Sequence, residues 1–203
     1  RYTYDESGNL KTKNQNSRLA EYLYDDQNRL INLLYPTDPT RNVTLFYDQG
    51  TYGMGRLTGM TDPSGVRSYT YNLFGQLITD HKTIGGITFI TAYQYDTEGR
   101  LKSITYPSGR VATYTLDATG RPTRVDMSKG GLDLAVAKTV TYEPFGPVKS
   151  IDYANHKTME AQSDLSFLKQ TLTLSPEFDL EYLRDDVGNI LTITDHADAT
   201  QNK

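Results

Sequence analysis

A short motif returns along the whole chain at intervals of roughly 20 to 26 residues. Its most regular copy spans residues 95–101 and reads YDTEGRL, with an acidic residue three positions before a glycine. Repeats of this length are typical of chains in which each copy forms one supersecondary unit that packs against its neighbours. The repeat therefore predicts an array of similar units.

Nine copies can be aligned in the sequence. Extra residues separate Asp48 from Gly55, which indicates a lengthened turn. The interval between Glu143 and Asp185 is twice the usual one, so we expect a degenerate copy near 158–171, with Phe167 in place of the glycine. The predicted strand and turn residues of the repeats are Tyr4, Asp5, Gly8, Tyr24, Asp25, Tyr47, Asp48, Gly55, Tyr71, Gly75, Tyr95, Asp96, Gly99, Asp117, Gly120, Tyr142, Gly146, Asp185 and Gly188.

Each copy is interpreted as a β-hairpin. The alternation in Tyr93-Gln94-Tyr95 places two tyrosines on one face of a strand. The acidic residue can accept backbone N–H bonds and the glycine tolerates a positive φ, so the chain reverses there. Second turns such as residues 62–65 (DPSG) and 106–109 (YPSG) join one hairpin to the next. Helical signals are weak, and we predict strand even over 158–171, the best helical candidate.

Apolar residues in the returning strands are spaced by three, which places them on opposite faces of a regular strand. Either a β-bulge intervenes or both faces of the sheet are partly covered. The pairs are Leu30/Leu33, Leu57/Met60, Leu101/Ile104, Val148/Ile151 and Ile190/Ile193.

The amino-acid composition agrees with a β-sheet that is exposed to solvent on at least one face. Tyr occurs 16 times and Phe 6 times, Trp and Cys are absent, and 36% of residues are hydrophobic. The net charge is −4 and the basic residues are scattered, which argues against a nucleic-acid groove. No stretch has the length and apolar character of a membrane span. We expect one array over 1–203, truncated at both ends because capping units are not recognisable and residues 195–203 resemble the start of another copy.

The motif resembles the YD repeats of the Rhs (rearrangement hotspot) family, which is akin to the shells of bacterial ABC toxin complexes and to teneurins. Residues 93–125 and 142–195 carry the resemblance most clearly. It implies an all-β fold in which tandem hairpins form a curved, spiralling sheet, part of a hollow β-shell around a toxic C-terminal polypeptide. The family's paired Asp-Pro-x-Gly motifs, linked to autoproteolysis, have one match at residues 62–65, but no second follows, so this role is not transferred to Asp62.

No catalytic, cofactor-binding or metal-binding residue is predicted. The histidines, His81, His156 and His196, lack the spacing of a metal site or a triad. The acidic pairs at Asp25 and Asp185 fall at the repeat turns, where turn formation explains them better than glycosidase or Ca²⁺ chemistry. The Gly-Gly pairs at 85–86 and 130–131 lack the rest of a phosphate-binding loop.

The leading functional hypothesis is a structural encapsulation module of a larger secreted or cell-surface bacterial toxin. Its partners would be flanking repeats and an enclosed C-terminal effector, without nucleic acid or a membrane span. The alternative is an extracellular carbohydrate-binding or adhesion surface, since rows of tyrosine can stack on sugars. An enzymatic function is the third and weakest hypothesis.

Overall fold

The computed structural model describes residues 1–16, 18–144, 146–198 and 200. Most of the last residues of 195–203, the predicted start of another copy, therefore lie outside the described residues. These residues form eighteen β-strands and one short 3₁₀ helix, Pro39–Arg41. The prediction of an all-β fold is confirmed. The strands are β1 Tyr2–Tyr4, β2 Leu10–Gln15, β3 Arg18–Tyr24, β4 Leu30–Leu34, β5 Val43–Tyr47, β6 Leu57–Asp62, β7 Gly65–Tyr71, β8 Leu77–Ile84, β9 Ile87–Tyr95, β10 Leu101–Thr105, β11 Val111–Leu116, β12 Pro122–Lys129, β13 Leu132–Tyr142, β14 Val148–Tyr153, β15 Thr158–Ser163, β16 Lys169–Leu174, β17 Phe178–Arg184 and β18 Ile190–Asp195.

The chain divides into two compact units. Unit 1 contains Arg1–Gln94 and Thr105–Ser108, and unit 2 contains Tyr95–Ile104 and the residues from Gly109 onward. In unit 1, each strand from β1 to β9 pairs antiparallel with the next strand in sequence. In unit 2, the strands from β11 to β18 do the same. Each unit is therefore built as a meander of hairpins.

One set of turns in each meander, here named the corners, lies at the acidic residue of the repeat. In every corner except the lengthened one at Asp48, the N–H of the fourth residue donates to the carbonyl of the first, as from Gly120 to Asp117 at 3.0 Å. The N–H of the first residue donates to the carbonyl of the fifth in these corners, as from Asp117 to Arg121 at 2.9 Å. The fourth residue has a positive φ at Gly8, Asn28, Gly75, Gly99, Gly120, Phe167 and Gly188, and so does Gly55 at the end of the lengthened corner.

Each returning strand carries an extra residue just after its corner. Tyr24 pairs with Leu30, whereas Leu23 pairs with Asn32, so Ile31 is inserted as a β-bulge. The same register shift follows the corners of β1–β2, β5–β6, β7–β8, β11–β12, β13–β14, β15–β16 and β17–β18.

The bulge explains the spacing of three between apolar residues. Beyond the inserted residue, Tyr22 pairs with Leu33, so Leu30 and Leu33 lie on the same face as Tyr24 and Tyr22. We name this the tyrosine face. The register gives the same result for Leu57/Met60, Val148/Ile151 and Ile190/Ile193. A bulge, the first of the two alternatives, therefore accounts for these pairs.

The units lack a thick apolar core. The buried apolar residues of the described chain are all small or β-branched, and none of its large side chains is fully buried. Cohesion must therefore come mainly from strand pairing and from contacts between side chains on neighbouring strands. The buried apolar residues are Ala20, Ala112, Ala137, Val140 and Ala161.

The segment 158–171 is extended, as predicted. Strand β15 ends at Ser163, the chain turns at Asp164, and β16 begins at Lys169. Leu168 N–H donates to the carboxylate of Asp164 at 3.0 Å, and Phe167 has a φ of 61°. A corner thus forms here although the glycine is missing.

We expect Gly99→Val to destabilise the chain by about 1–3 kcal/mol, because a β-branched residue is strained at positive φ. Gly99 has a φ of 80°. Thermal unfolding followed by circular dichroism would measure the effect. Thr97→Val places the same side chain at an exposed position of the same corner and should change stability much less. Equal melting temperatures for the two variants would contradict this interpretation of the corner.

Candidate functional site

The corners form the candidate functional site, because the repeat motif is concentrated there. One carboxylate oxygen of the acidic residue accepts two backbone N–H groups of its own corner. In the corner of Asp117, Oδ1 accepts from Thr119 N–H and from Arg121 N–H, both at 2.9 Å. The same pair of bonds forms at Asp5, Asp25, Asn72, Asp96, Asp164 and Asp185. This side chain therefore fixes the turn.

In three corners the second carboxylate oxygen accepts a hydrogen bond from the arginine at the fifth position. Arg29 Nε donates to Asp25 Oδ2 at 2.7 Å, and Arg100 Nε donates to Asp96 Oδ2 at 2.6 Å. Arg121 makes the same contact with Asp117 at 2.9 Å. The guanidinium is thereby oriented with its far side free to contact another hairpin.

That far side reaches the next corner of the same unit. Arg29 donates from both Nη atoms to the carboxylate of Asp48, at 3.1 and 2.6 Å. It also stacks over the ring of Tyr47, 4.4 Å from the centroid. Arg121 stacks over Tyr142 at 4.5 Å in the same way. Arg29 thus joins its own corner to the following one through charge pairing and cation–π contact, and Arg121 does so through cation–π contact. Arg100 donates from Nη1 to the Asp117 carbonyl of the following corner at 3.4 Å.

The tyrosine before the acidic residue makes a contact in the opposite direction along the chain. Tyr24 donates its hydroxyl to the Leu10 carbonyl at 2.9 Å, and Tyr142 donates to the Pro122 carbonyl at 2.7 Å. In both cases the acceptor directly follows the preceding corner. Tyr47 and Tyr71 repeat this contact with Leu30 and Leu57. The hydroxyl groups of these tyrosines are engaged in hydrogen bonds to the backbone of the preceding hairpin. They are therefore less available to bind a carbohydrate.

At the last corner an arginine replaces this tyrosine. Arg184 Nε donates to the Lys169 carbonyl at 3.4 Å, the same backbone position that the tyrosines contact. Arg184 thus replaces the tyrosine hydroxyl as the donor, whereas the corners of Asp117 and Asp164 are preceded by Leu116 and Ser163. Tyr95 ends β9 directly before the corner of Asp96.

Corner glycines carry a second constraint where a neighbouring side chain covers them. A Cβ on Gly75 would lie 2.0 Å from Arg56 Nη2, and one on Gly120 would lie 3.0 Å from Arg100 Cδ. Gly8 and Gly55 have nothing within 4 Å of that position and are constrained by φ alone. Gly188 approaches Leu168, and Gly146 lies against the ring of Phe167.

The two irregular corners keep part of this network. In the lengthened corner, Gly55 N–H donates to Asp48 Oδ1 at 2.6 Å across the inserted residues. At Glu143 the backbone bonds of the corner are retained, with Gly146 N–H donating to the Glu143 carbonyl at 3.0 Å.

Hydrogen bonding at the corners shifts the acidity of the carboxyl groups. The Thr119 hydroxyl and the Arg121 N–H lower the pKa of Asp117. The pKa of Asp25 is lowered mainly by the backbone N–H of Arg29, and that of Asp48 by the Arg29 side chain. The hydrogen bonds that Arg29 donates to the carboxylates of Asp48 and Asp25 raise the pKa of Arg29. The ion pairs therefore stay charged at neutral pH.

The other residues considered from the sequence have local roles. His81 lies within β8, His156 has a φ of 64° in the β14–β15 turn, and His196 Nε2 lies 3.1 Å from Glu181 Oε2. Asp62 Oδ1 accepts Ser64 N–H at 2.7 Å in the β6–β7 turn. Asp195 Oδ1 accepts Asp179 N–H at 3.0 Å.

Among the described residues, no group of three or more His, Asp or Glu side chains is placed to hold a metal ion. No helix in this part of the chain has the length and apolar character needed to cross a bilayer.

Comparison with known proteins identifies these repeats. The RHS Repeat family model matches residues 55–88 and 91–131. These two segments are RHS repeats. They include all of 93–125, and residues 142–195 lie outside them.

Two curated relatives align with about half of this chain. The tRNA nuclease WapA of Bacillus subtilis (strain 168) is 35% identical over 99 residues, which is 48% of this chain and 4% of the relative. The tRNA(Glu)-specific nuclease WapA of Bacillus subtilis subsp. natto (strain BEST195) is 34% identical over the same length and the same shares. The chain thus matches a small part of much longer proteins.

Solved structures share the fold over nearly the whole chain. The crystal structure of TcdB2-TccC3-Cdc42 has a TM-score of 0.78 at 17% identity, covering 98% of this chain and 11% of that chain. A mutant Tc holotoxin pore from Photorhabdus luminescens gives a TM-score of 0.75 at 17% identity, with the same shares. These similarities show that the chain shares the fold of part of these Tc toxin structures.

The inter-hairpin tyrosine bond can be tested with a matched pair of variants. Tyr142→Phe should reduce the free energy of unfolding by about 1 kcal/mol, because the Pro122 carbonyl loses its donor. Tyr4→Phe removes the equivalent hydroxyl at an exposed tyrosine for which no such bond occurs, and should have little effect. Urea denaturation would measure both, and an equal loss in the two variants would refute the role assigned to Tyr142.

The lowered pKa values predict that the fold loses stability in strong acid. A carboxyl with a depressed folded pKa contributes stability above its unfolded pKa of about 3.9, and this contribution disappears as the pH falls through the folded value. We expect the melting temperature to change little from pH 7 to about 4 and to fall at lower pH.

Asp117→Asn tests whether the corner carboxylates cause this pH dependence of the melting temperature. The amide keeps an acceptor but loses the charge that pairs with Arg121. Its melting temperature should be lower than that of the parent at pH 7, and the difference should narrow at low pH. Melting curves recorded by circular dichroism between pH 7 and 2 would show this. A constant difference across the series would contradict the assignment.

Proposed function

We propose that this chain is a wall segment of an RHS-repeat shell, which encloses and shields an effector polypeptide of the same parent protein. One observation carries the proposal: successive hairpins are joined at their corners by arginines, such as Arg29, that bind two corners at once. A wall needs continuity from strand to strand more than it needs a thick core. The corner contacts supply that continuity.

Uncovered apolar surface also supports the proposal. In unit 1, the β8–β9 hairpin exposes Ile87, Phe89 and Ile90. In unit 2, strand β13 exposes Leu132 and Leu134. Apolar groups gathered at one place on a surface are typical of interaction sites. We propose that flanking repeats and the enclosed polypeptide cover them in the parent protein.

In this proposal the chain has a structural role and no catalytic role. The carboxylates of its corners are engaged by their own turns and arginines, as at Asp25 and Asp117. The two curated relatives are named as tRNA nucleases, and the aligned segment is 4% of their length. We propose that another part of the parent carries the toxic activity, and that the parent is a secreted or cell-surface bacterial protein.

Limited proteolysis of the full parent protein tests the enclosure. The effector region should resist protease in the intact parent and be digested much faster as an isolated polypeptide. Equal digestion rates in the two forms would overturn the proposal, whatever any variant does.

A variant of a corner arginine tests whether the contacts between corners protect the effector region from protease. Arg121→Gln breaks the contacts to Asp117 and Tyr142 and should speed digestion of the effector region. Arg124→Gln is the matched control, because Arg124 pairs with Asp126 on the same strand and joins no corners. It should leave the digestion rate unchanged. Digestion of both variants at the parental rate would refute the role of the corner arginine.

A further inference from the structure

A pocket of about 550 Å³ lies in unit 1, at the ends of β2–β3 and β4 that are remote from the corners. Its lining includes three basic side chains, Lys13, Arg18 and Arg41, and two tyrosines, Tyr22 and Tyr35. Pockets that bind small molecules have volumes of roughly 300–1,000 Å³. The cavity therefore has the size of a binding site for a small molecule.

The strand register brings one wall of the pocket together. Lys13 pairs with Ala20, and Arg18 and Tyr22 lie two residues to either side of Ala20 on the same face of β3. This is the tyrosine face. Ala20 is buried, and its small side chain leaves room between the longer ones.

The opposite wall comes from the connection between β4 and β5, which contains the 3₁₀ helix. Tyr35 N–H donates to Asn42 Oδ1 at 2.8 Å, which ties the two ends of this connection together. Arg41 stacks over the Tyr35 ring, 4.7 Å from its centroid. The stack orients the Arg41 guanidinium before any ligand arrives.

The charge of the pocket is unbalanced. Among the described residues, none of Lys13, Arg18 and Arg41 forms an ion pair, and no carboxylate lines the pocket. The corner arginines, by contrast, are paired with aspartates. The whole chain has a net charge of −4, so this concentration of positive charge is local. A concave site with one sign of charge attracts ligands of the other sign.

We propose that this pocket binds a phosphate-bearing sugar. Arg18, Arg41 and Lys13 contact the phosphate oxygens, since guanidinium groups donate forked hydrogen bonds that match phosphate and lysine adds a compact charge. Tyr22 provides an aromatic surface against which the sugar ring packs, with a polar tip for its hydroxyl groups. The proposal rests on this pocket alone and is independent of the proposed shell.

Isothermal titration of the full chain with glucose 6-phosphate tests the site. We expect saturable binding that weakens as salt is added, because the contacts are ionic. Arg18→Gln and Arg41→Gln should each weaken binding about tenfold, equivalent to about 1.4 kcal/mol. Arg110→Gln, which removes an exposed and unpaired arginine outside the pocket, should bind like the parent.

Comparison of ligands decides the chemical class. Glucose and inorganic phosphate should each bind more weakly than glucose 6-phosphate, because each supplies half of the contacts. Equal affinity for inorganic phosphate would overturn the sugar assignment, and tighter binding of a polyglutamate peptide would overturn the phosphate assignment. Absence of binding by the parent, or equal losses in Arg41→Gln and Arg110→Gln, would overturn the site itself. Circular dichroism of each variant separates loss of binding from loss of folding.

Discussion

Cohesion between neighbouring hairpins depends on arginines that directly follow the positive-φ residue of a corner, such as Arg29. Arg29 binds the carboxylate of its own corner, then the carboxylate and aromatic ring of the next. Such contacts matter because the described residues contain no large side chain that is fully buried. Exposed ion pairs are individually weak, but networks with bidentate geometry contribute more. The repeated motif is therefore best understood as a device that links copies, in addition to one that turns the chain.

Local chemistry made the fold predictable from the sequence. An acidic residue followed by a glycine specifies a turn by itself, and alternating tyrosines specify a strand, so the all-β hairpin fold could be inferred from single copies. The bulge at Ile31 and the bond from Tyr24 to Leu10 could not. They depend on which residues of adjacent strands lie opposite each other, and spacing within one copy does not contain that information. The pocket in unit 1 could not be predicted from the sequence for the same reason, since Lys13 and Arg41 line one cavity only after the chain has folded.

Departures from the motif show which of its parts the fold requires. At Phe167 the glycine is lost, yet the positive φ and the bond from Leu168 N–H to Asp164 remain. The turn thus tolerates a strained residue as long as the acceptor is present. On the tyrosine face, Asp80 is buried and pairs with Arg67 at a position where other copies place apolar residues. A buried carboxylate is tolerated there because its partner binds it through two nitrogen atoms.

The lengthened corner between Asp48 and Gly55 shows how the array accommodates additional sequence. Asp48 still receives the Gly55 N–H, and Arg56 holds the loop through the carbonyls of Tyr52 and Met54 while it stacks over Tyr71. Asp48 and Arg56, which contact the adjacent hairpins, flank the extra segment. Corners are therefore graft points: a recognition loop or a reporter peptide introduced between the acidic residue and the glycine would project from the sheet without interrupting its strand order.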